Sequence, residues 1–383
     1  MLGDHLKPCV IGTVWKRLVA VLATIGLASG LMLGLAGPAQ ASATKTSLAI
    51  AVSAAVVGPG GSVKVTATLT KKGKALSKNT VRLQKRTVGS KDWKTMATAK
   101  TDGRGKVSFT AKGLQKDHEF RAAFAGSSKA RKSTSSIKTV GVRQSIKITS
   151  ASTASPTAGQ TITVKGRTSS GLAGRTVQLQ QYSHKKWTKV ATAKVSKNAS
   201  FSLSVKATAA GPLSLRVRAD AATGIRSANS ETKKFTVFKW YDLVDSTPVS
   251  ASATGSGIRF EGGPATINGV EYVNSLLGVL SSLDTEDDVY IDMWVLGGKC
   301  RQFEATVGFD DDHVYDAPGG IFAAFVDDEM HEIGNIASDE YVNSRIDIRG
   351  ADRFSLGMTW DGISTGVGIA GFANAKVLCS SRP

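Results

Sequence analysis

The sequence predicts an all-β chain of three successive sandwiches, and three observations carry that expectation. Apolar/polar alternations such as Val63-Val65-Ala67-Leu69 recur between Gly, Asn, Asp and Ser turns. Turns about every ten residues flanking a period-two pattern mean short antiparallel strands with one buried face. One plan is then written twice, across residues 46–140 and 145–238. Finally, the charge changes sign: Lys plus Arg against Asp plus Glu is 38 to 6 over residues 45–239 and 8 to 23 over residues 240–383, giving +32 and −15. A boundary that sharp separates domains of different kinds, and 383 residues accommodate them at the usual size of about 100 to 150 residues each.

Residues 1–43 have the form of a signal helix for export. Lys16 and Arg17 precede an apolar run from Leu18 to Ala36, and Gly37-Pro38 breaks it. Ala39-Gln40-Ala41 and Ala41-Ser42-Ala43 are small-x-small patterns that predict cleavage after Ala41 or Ala43. The alternative is an uncleaved anchor, the one route by which this chain would hold a membrane. Either way the expected location is secreted: extracellular or associated with the cell envelope. Cys9 leaves with the signal, and Cys300 and Cys379 remain as an even pair in an oxidising compartment. A disulfide between them closes a loop worth about 4.5 kcal/mol in the chain-entropy model.

The two middle units correspond strand by strand. Thr80-Val81-Arg82-Leu83-Gln84 answers Thr176-Val177-Gln178-Leu179-Gln180, and Trp93-Lys94-Thr95-Met96-Ala97-Thr98-Ala99-Lys100 answers Trp187-Thr188-Lys189-Val190-Ala191-Thr192-Ala193-Lys194. About seven strands per hundred residues predict sandwiches, and the copies resemble bacterial Ig-like domains. Trp93 and Trp187 are either sugar platforms or packed core and rim residues. The Lys and Arg excess has two readings. It keeps strand edges from pairing and the protein soluble, or it holds anionic polymers of a cell envelope through residues 45–239. No base-reading motif accompanies it, so no specific nucleic-acid partner is expected.

Residues 240–383 predict a different sandwich, a jelly roll. Val289-Tyr290-Ile291-Asp292-Met293-Trp294-Val295 sets Val289, Ile291, Met293 and Val295 on one face of a strand, and Gly297-Gly298 turns it towards Cys300. Ile267-Asn268-Gly269-Val270-Glu271-Tyr272 precedes that strand, and Phe303-Glu304-Ala305-Thr306-Val307-Gly308-Phe309-Asp310-Asp311, the Gly-led Gly320-Ile321-Phe322, the acidic hairpin Asp327-Asp328, Gly350-Ala351-Asp352-Arg353-Phe354-Ser355-Leu356 and Asp361-Gly362-Ile363 follow it. In this order the runs resemble the NPCBM family of carbohydrate-binding modules attached to family-98 glycoside hydrolases. Leu277-Gly278-Val279-Leu280-Ser281-Ser282 departs from that pattern in lacking its His, and Gly368-Ile369-Ala370-Gly371-Phe372-Ala373-Asn374 in lacking its Trp.

The resemblance implies glycan recognition. Sugar binding needs an aromatic face for the ring's C–H side and polar groups for its hydroxyls, on loops held by a rigid sheet. Tyr315, Trp360 and Trp294 are the platform candidates; Asp312, His313, Asp361 and Asn374 are the polar ones. Asp310, Asp311 and Asp316, joined by Asp327, either hold a structural Ca²⁺ or bond to backbone N–H groups in their own turn. A domain of this size offers little cleft for a carboxylate pair, and no nucleophile elbow, zinc helix or phosphate loop occurs, so no enzyme is expected. The sequence therefore points to a secreted, non-catalytic carbohydrate-binding protein on a basic stalk. Its alternative is a structural or adhesive envelope protein that binds polyanions or protein partners without sugar recognition.

Overall fold

A computed structural model describes residues 43–249, 259–284 and 289–383. The expected signal and its cationic start lie outside the described residues, except Ala43. The fold class is the expected one: among the described residues the only helix is a 3-10 turn, Ser170–Leu172.

The first sandwich contains β1 (Thr46–Val52), β2 (Val56–Val57), β3 (Gly61–Lys71), β4 (Lys74–Ala75), β5 (Thr80–Thr87), β6 (Lys94–Lys100), β7 (Lys106–Leu114), β8 (His118–Phe124), β9 (Ser133–Thr134) and β10 (Lys138–Val142). One sheet runs β1-β3 with β7 also on β3, the other β2-β10-β8-β5-β6. The alternation read from the sequence is what closes them: Val63, Val65, Ala67 and Leu69 face Val81, Leu83, Phe120 and Ala122 in one dry core. The second sandwich repeats the plan with β11 (Ile146–Ala151), β12 (Thr161–Thr168), β13 (Thr176–Ser183), β14 (Lys186–Lys194), β15 (Ser200–Lys206), β16 (Gly211–Ala219), β17 (Ala228–Asn229) and β18 (Lys233–Val237). Its sheets are β11-β12-β15, and β14-β13-β16 with β18 on β16. A three-stranded sheet against a larger one, connected in this way, is an immunoglobulin-like arrangement.

The duplication extends to side-chain networks. Gln84 accepts from Arg121 Nε at 2.8 Å, and the Arg121 guanidinium lies 4.2 Å from the Trp93 ring centre. Gln180 accepts from Arg216 Nε at 2.9 Å, and Arg216 lies 4.2 Å from Trp187. Arg86 also stands 4.6 Å from Trp93, and Tyr182 packs on Trp187. Cation–π contact thus engages both indoles at the sandwich rim, so packing, not a free platform, is their arrangement.

The two repeats meet in a polar clasp centred on Asp117. Its buried carboxylate accepts from Val142 N at 2.6 Å and from Arg226 Nε at 2.8 Å, and its own N–H donates to Gly224 O. Ser169 Oγ donates to Gln144 Oε1, whose amide nitrogen donates to Gln115 O. Asp117→Ala leaves Val142 N–H buried and unpaired, so a loss of about 2 to 3 kcal/mol is expected in urea unfolding. A variant as stable as wild type would mean the clasp carries no load.

Phe238 alone separates β18 from the next strand, β19 (Lys239–Asp242). The third sandwich continues with β20 (Glu261–Ile267), β21 (Val270–Ser281), β22 (Tyr290–Val295), β23 (Cys300–Tyr315), β24 (Gly319–Val326), β25 (Glu329–Ala337), β26 (Tyr341–Asp347), β27 (Arg353–Trp360) and β28 (Val367–Cys379). One sheet is β20-β21-β28-β23-β26 with β19 on β28; the other is β22-β27-β24-β25. Counted from β21, the order is first-eighth-third-sixth against second-seventh-fourth-fifth, which is a jelly roll. Two turns of the quoted motifs have the backbone their residues favour. Asn268-Gly269 and Asp327-Asp328 take φ of 50° and 70°, and 50° and 74°, as two-residue hairpins with both central residues left-handed.

On β22 the buried face is not the apolar set expected. Asp292 and Trp294 point inward, followed by Leu296, while Ile291 and Met293 are half-buried and Val295 is exposed. The indole decides this: Trp294, 1% exposed, fills the core and donates from Nε1 to Ser246 O, so it is no sugar platform. Cys300 and Cys379 are cross-strand partners on β23 and β28 and form the expected disulfide. Replacing both with Ser is expected to cost about 4 kcal/mol, seen as a lower urea midpoint. A thiol reductant should lower the wild type to the same midpoint and leave the double variant unmoved.

Candidate functional site

The outer face of the β28-β23-β26 sheet carries a grid of polar side chains that the strand registers impose. Along β26 the outward residues are Tyr341, Asn343 and Arg345, and their cross-strand partners on β23 are Gly308, Thr306 and Glu304. Every second residue of a strand faces the same way, so the three pairs form consecutive rows. In the first row Gly308 has no side chain, and a Cβ there would stand 3.3 Å from Tyr341 Cβ; Tyr341 remains 42% exposed beside it. In the second, Tyr272 donates from its hydroxyl to Thr306 Oγ1 at 3.2 Å, and Thr306 Oγ1 donates to Asn343 Oδ1 at 2.9 Å. In the third, Arg345 Nε donates to Glu304 at 2.8 Å, and Lys376 of β28 approaches the same carboxylate at 3.8 Å.

Asn374 completes this face. The β23–β28 register slips between Thr306–Ala373 and Glu304–Lys376, and Asn374 occupies the slip with φ of 50°, a conformation Asn tolerates better than most residues. With Thr306, Asn343, Arg345 and Lys376 it lines a groove of about 270 Å³. The Lys376 ammonium in turn stands 5.4 Å from the Trp240 ring. The row Trp240, Lys376, Glu304, Arg345 thus crosses four adjacent strands.

The other expected site residues stand elsewhere. Trp360, half-buried at the end of β27, shares strand parity with the core residues Phe354, Leu356 and Met358, and its Nε1 is buried without a hydrogen-bond partner. Asp361 shapes the following turn. Burial pushes its pKa up, but the Ser364 hydroxyl and N–H and the Ile363 N–H outweigh this and hold it below the ordinary carboxylate value. Tyr315 is 64% exposed on the next strand position after core-packed Val314, so it faces away from Trp360's side of the sandwich. The expected set is therefore not one pocket: Trp360 and Asp361 form the lip of one end, Asp312 and His313 belong to a bulge, and Asn374 belongs to the grid.

The acidic run is that bulge. Phe309 pairs with Ala370 and Val314 with Gly368, so Asp310 to His313 loop out of the ladder. Asp310, buried, accepts from Thr266 N at 2.8 Å and contacts His313 Nδ1 at 2.6 Å; Asp311 accepts from Asn268 N and Gly269 N. Apart from the His313 contact, the carboxylates clamp the β20–β21 hairpin across the sheet instead of accepting from backbone N–H groups of their own turn. Asp327 caps Asp352 N and Arg353 N in another hairpin. Among the described residues no three His, Cys, Asp or Glu side chains are grouped to hold a metal ion, and Asp310 and Asp311 of the Ca²⁺ reading direct their carboxylates to backbone N–H groups across the sheet. Ca²⁺ or a chelator is expected to leave the melting temperature unchanged. Asp310→Ala is expected to cost about 2 kcal/mol by freeing Thr266 N–H.

Tandem immunoglobulin-like sandwiches carrying a jelly-roll head define the class of this chain. No protein-family model and no curated protein matches it. Among solved structures it is similar to CBM51 from Clostridium perfringens GH95 in complex with methyl-galactose, at 19% identity over 36% of this chain and 99% of that one, TM-score 0.28. It is also similar to the CBM51-2 and INT domains of C. perfringens ZmpB, at 13% identity over 46% of this chain, TM-score 0.28, spanning 39% of that structure's length. A third is the Yersinia pseudotuberculosis adhesin InvE, at 15% identity over 66% of this chain and 74% of that one, TM-score 0.32. The all-β class rests on the strands and registers above, not on these overlaps.

Proposed function

We propose that the chain is a secreted, non-catalytic glycan-binding protein whose jelly-roll head holds sugar on the outer face of β28-β23-β26, with the basic repeats as stalk. The observation that supports this reading is the grid itself. Within three strand rows it offers an exposed aromatic ring at Tyr341, amides at Asn343 and Asn374, and a carboxylate–guanidinium pair at Glu304 and Arg345. Those are the groups that a sugar's C–H face and hydroxyls require, and the sheet beneath holds them rigidly. One NPCBM-like motif belongs to the same proposal: its Gly308 stands opposite Tyr341, where Glu340 O and Ile267 close in and leave no room for a side chain. The +32 balance of residues 45–239 supports a second, additive role in which the stalk is retained by envelope polyanions.

A glycan array probed with the full chain tests the reading. Tyr341→Ala and Asn374→Gly, the latter keeping the left-handed backbone accessible, are each expected to weaken the strongest sugar signal about tenfold. Unchanged binding by both variants, with melting temperatures intact, would assign sugar recognition to another surface or to none.

A further inference from the structure

A cleft lies where the second repeat meets the head, and its charge is opposite to that of the domain supplying most of it. It measures about 800 Å³ and is floored by Phe238. Lys299, Arg301, Arg345 and Arg349 line it with Asp347 as the sole carboxylate, a formal balance of +3. Those four are half of the eight Lys and Arg in residues 240–383, a region whose net charge is −15. Four cations gathered at one place in an acidic domain are a local focus for an anion, and the neighbouring repeat is itself basic.

Two of the cations are not spent on internal pairs. Arg345 is engaged by Glu304, and Arg349 by Asp347. Among the described residues no carboxylate pairs with Lys299 or Arg301. The Arg301 guanidinium is instead stacked 4.3 Å from the Phe238 ring, which fixes its plane. The same β26 strand joins this cleft to the sugar grid: Tyr341, Asn343, Arg345 and Asp347 alternate outward, Gln302 pairs with Asp347, and Arg345 lines both the cleft and the Asn374 groove.

We infer that the junction cleft binds the acidic groups of an anionic polysaccharide whose sugar units lie along β26. This rests on the glycan reading of the grid and names the class of glycan. Planar guanidinium forks match carboxylate and phosphate oxygens, while the amides and hydroxyls one and two rows away suit neutral sugar hydroxyls. A nucleic acid fits less well, because the aromatic ring in the cleft is stacked by Arg301 and gives no open platform for a base.

The test uses the full chain at fixed ionic strength and three immobilised probes: polygalacturonate, the same polymer after carboxyl reduction, and a glycerol-phosphate polymer carrying sugars. Arg301→Ala/Arg349→Ala is compared with Lys64→Ala/Lys112→Ala, which removes two positive charges from an exposed face of the first repeat. The cleft variant is expected to lose about tenfold in affinity for at least one acidic probe, with the control variant near wild type. The acidic probe that responds distinguishes a carboxylate from a phosphate source. Equal losses in the two variants would mean diffuse attraction and overturn the site. Wild-type binding that is the same before and after carboxyl reduction, with no binding of the phosphate polymer, would overturn the anion proposal while leaving the glycan reading standing. If none of the three probes nor any array sugar binds, both fall.

Discussion

The placement of β28 against β23 is the constraint on which the head depends. β28 is the longest-reaching member of its sheet, pairing with β19, β21 and β23. Cys379 opposite Cys300 pins one end of that ladder. From this fixed row the register shifts three times, directly after Cys300, between Glu304 and Thr306, and between Phe309 and Val314. The slip at Asn374 turns an amide into the grid, and the bulge from Asp310 to His313 sends two carboxylates over the β20–β21 hairpin. A shift of one residue along β23 would move Phe303, Val307 and Phe309 out of the core and Glu304 and Thr306 into it. Core and polar grid are thus two consequences of one register.

The same economy governs the junctions. Domains joined by ordinary linkers move freely, but here Phe238 is the single residue between strands of two sandwiches, and it is held by Pro156, Ala158 and Arg301. The repeats are joined through Asp117, whose acceptor capacity is consumed by a strand end in one repeat and an arginine in the other. These contacts give the basic stalk a defined approach to the acidic head. The juxtaposition of +32 and −15 is therefore resolved by specific placement, with the head's own cations gathered at the seam.

The cation–π networks of the repeats show how a duplicated sequence keeps a physical solution and not merely a pattern. Gln84, Arg121 and Trp93 recur as Gln180, Arg216 and Trp187, and Ser135 and Ser230 each accept a backbone N–H at equivalent places on β8 and β16. An indole at a sandwich rim exposes apolar area; a guanidinium laid on it, oriented by a glutamine, covers the ring without burying an unpaired charge. The excess of arginine is in this respect structural, while most of the lysine stays in solvent.

Much of the architecture was legible in the residues. Period-two alternation, the duplication, the Asn268-Gly269 turn and the pairing of two remaining cysteines each depend on local chemistry or on counting, so they survive without coordinates. The face that β22 buries was not legible, because Ile291 and Met293 offer the better apolar pattern and only the volume of Trp294 in a shared core reverses it. The candidate site was half legible. Asn374 is among the sequence candidates, whereas Tyr341, Asn343 and Arg345 alternate with Val342, Ser344 and Ile346 as the polar side of any strand does, and nothing local sets them apart. Sequence alone determined which residues could lie outward on each strand. Only the tertiary structure decided which outward residues meet, because cross-strand register is set by long-range packing, by bulges and by one disulfide, and none of these is a property of neighbouring residues.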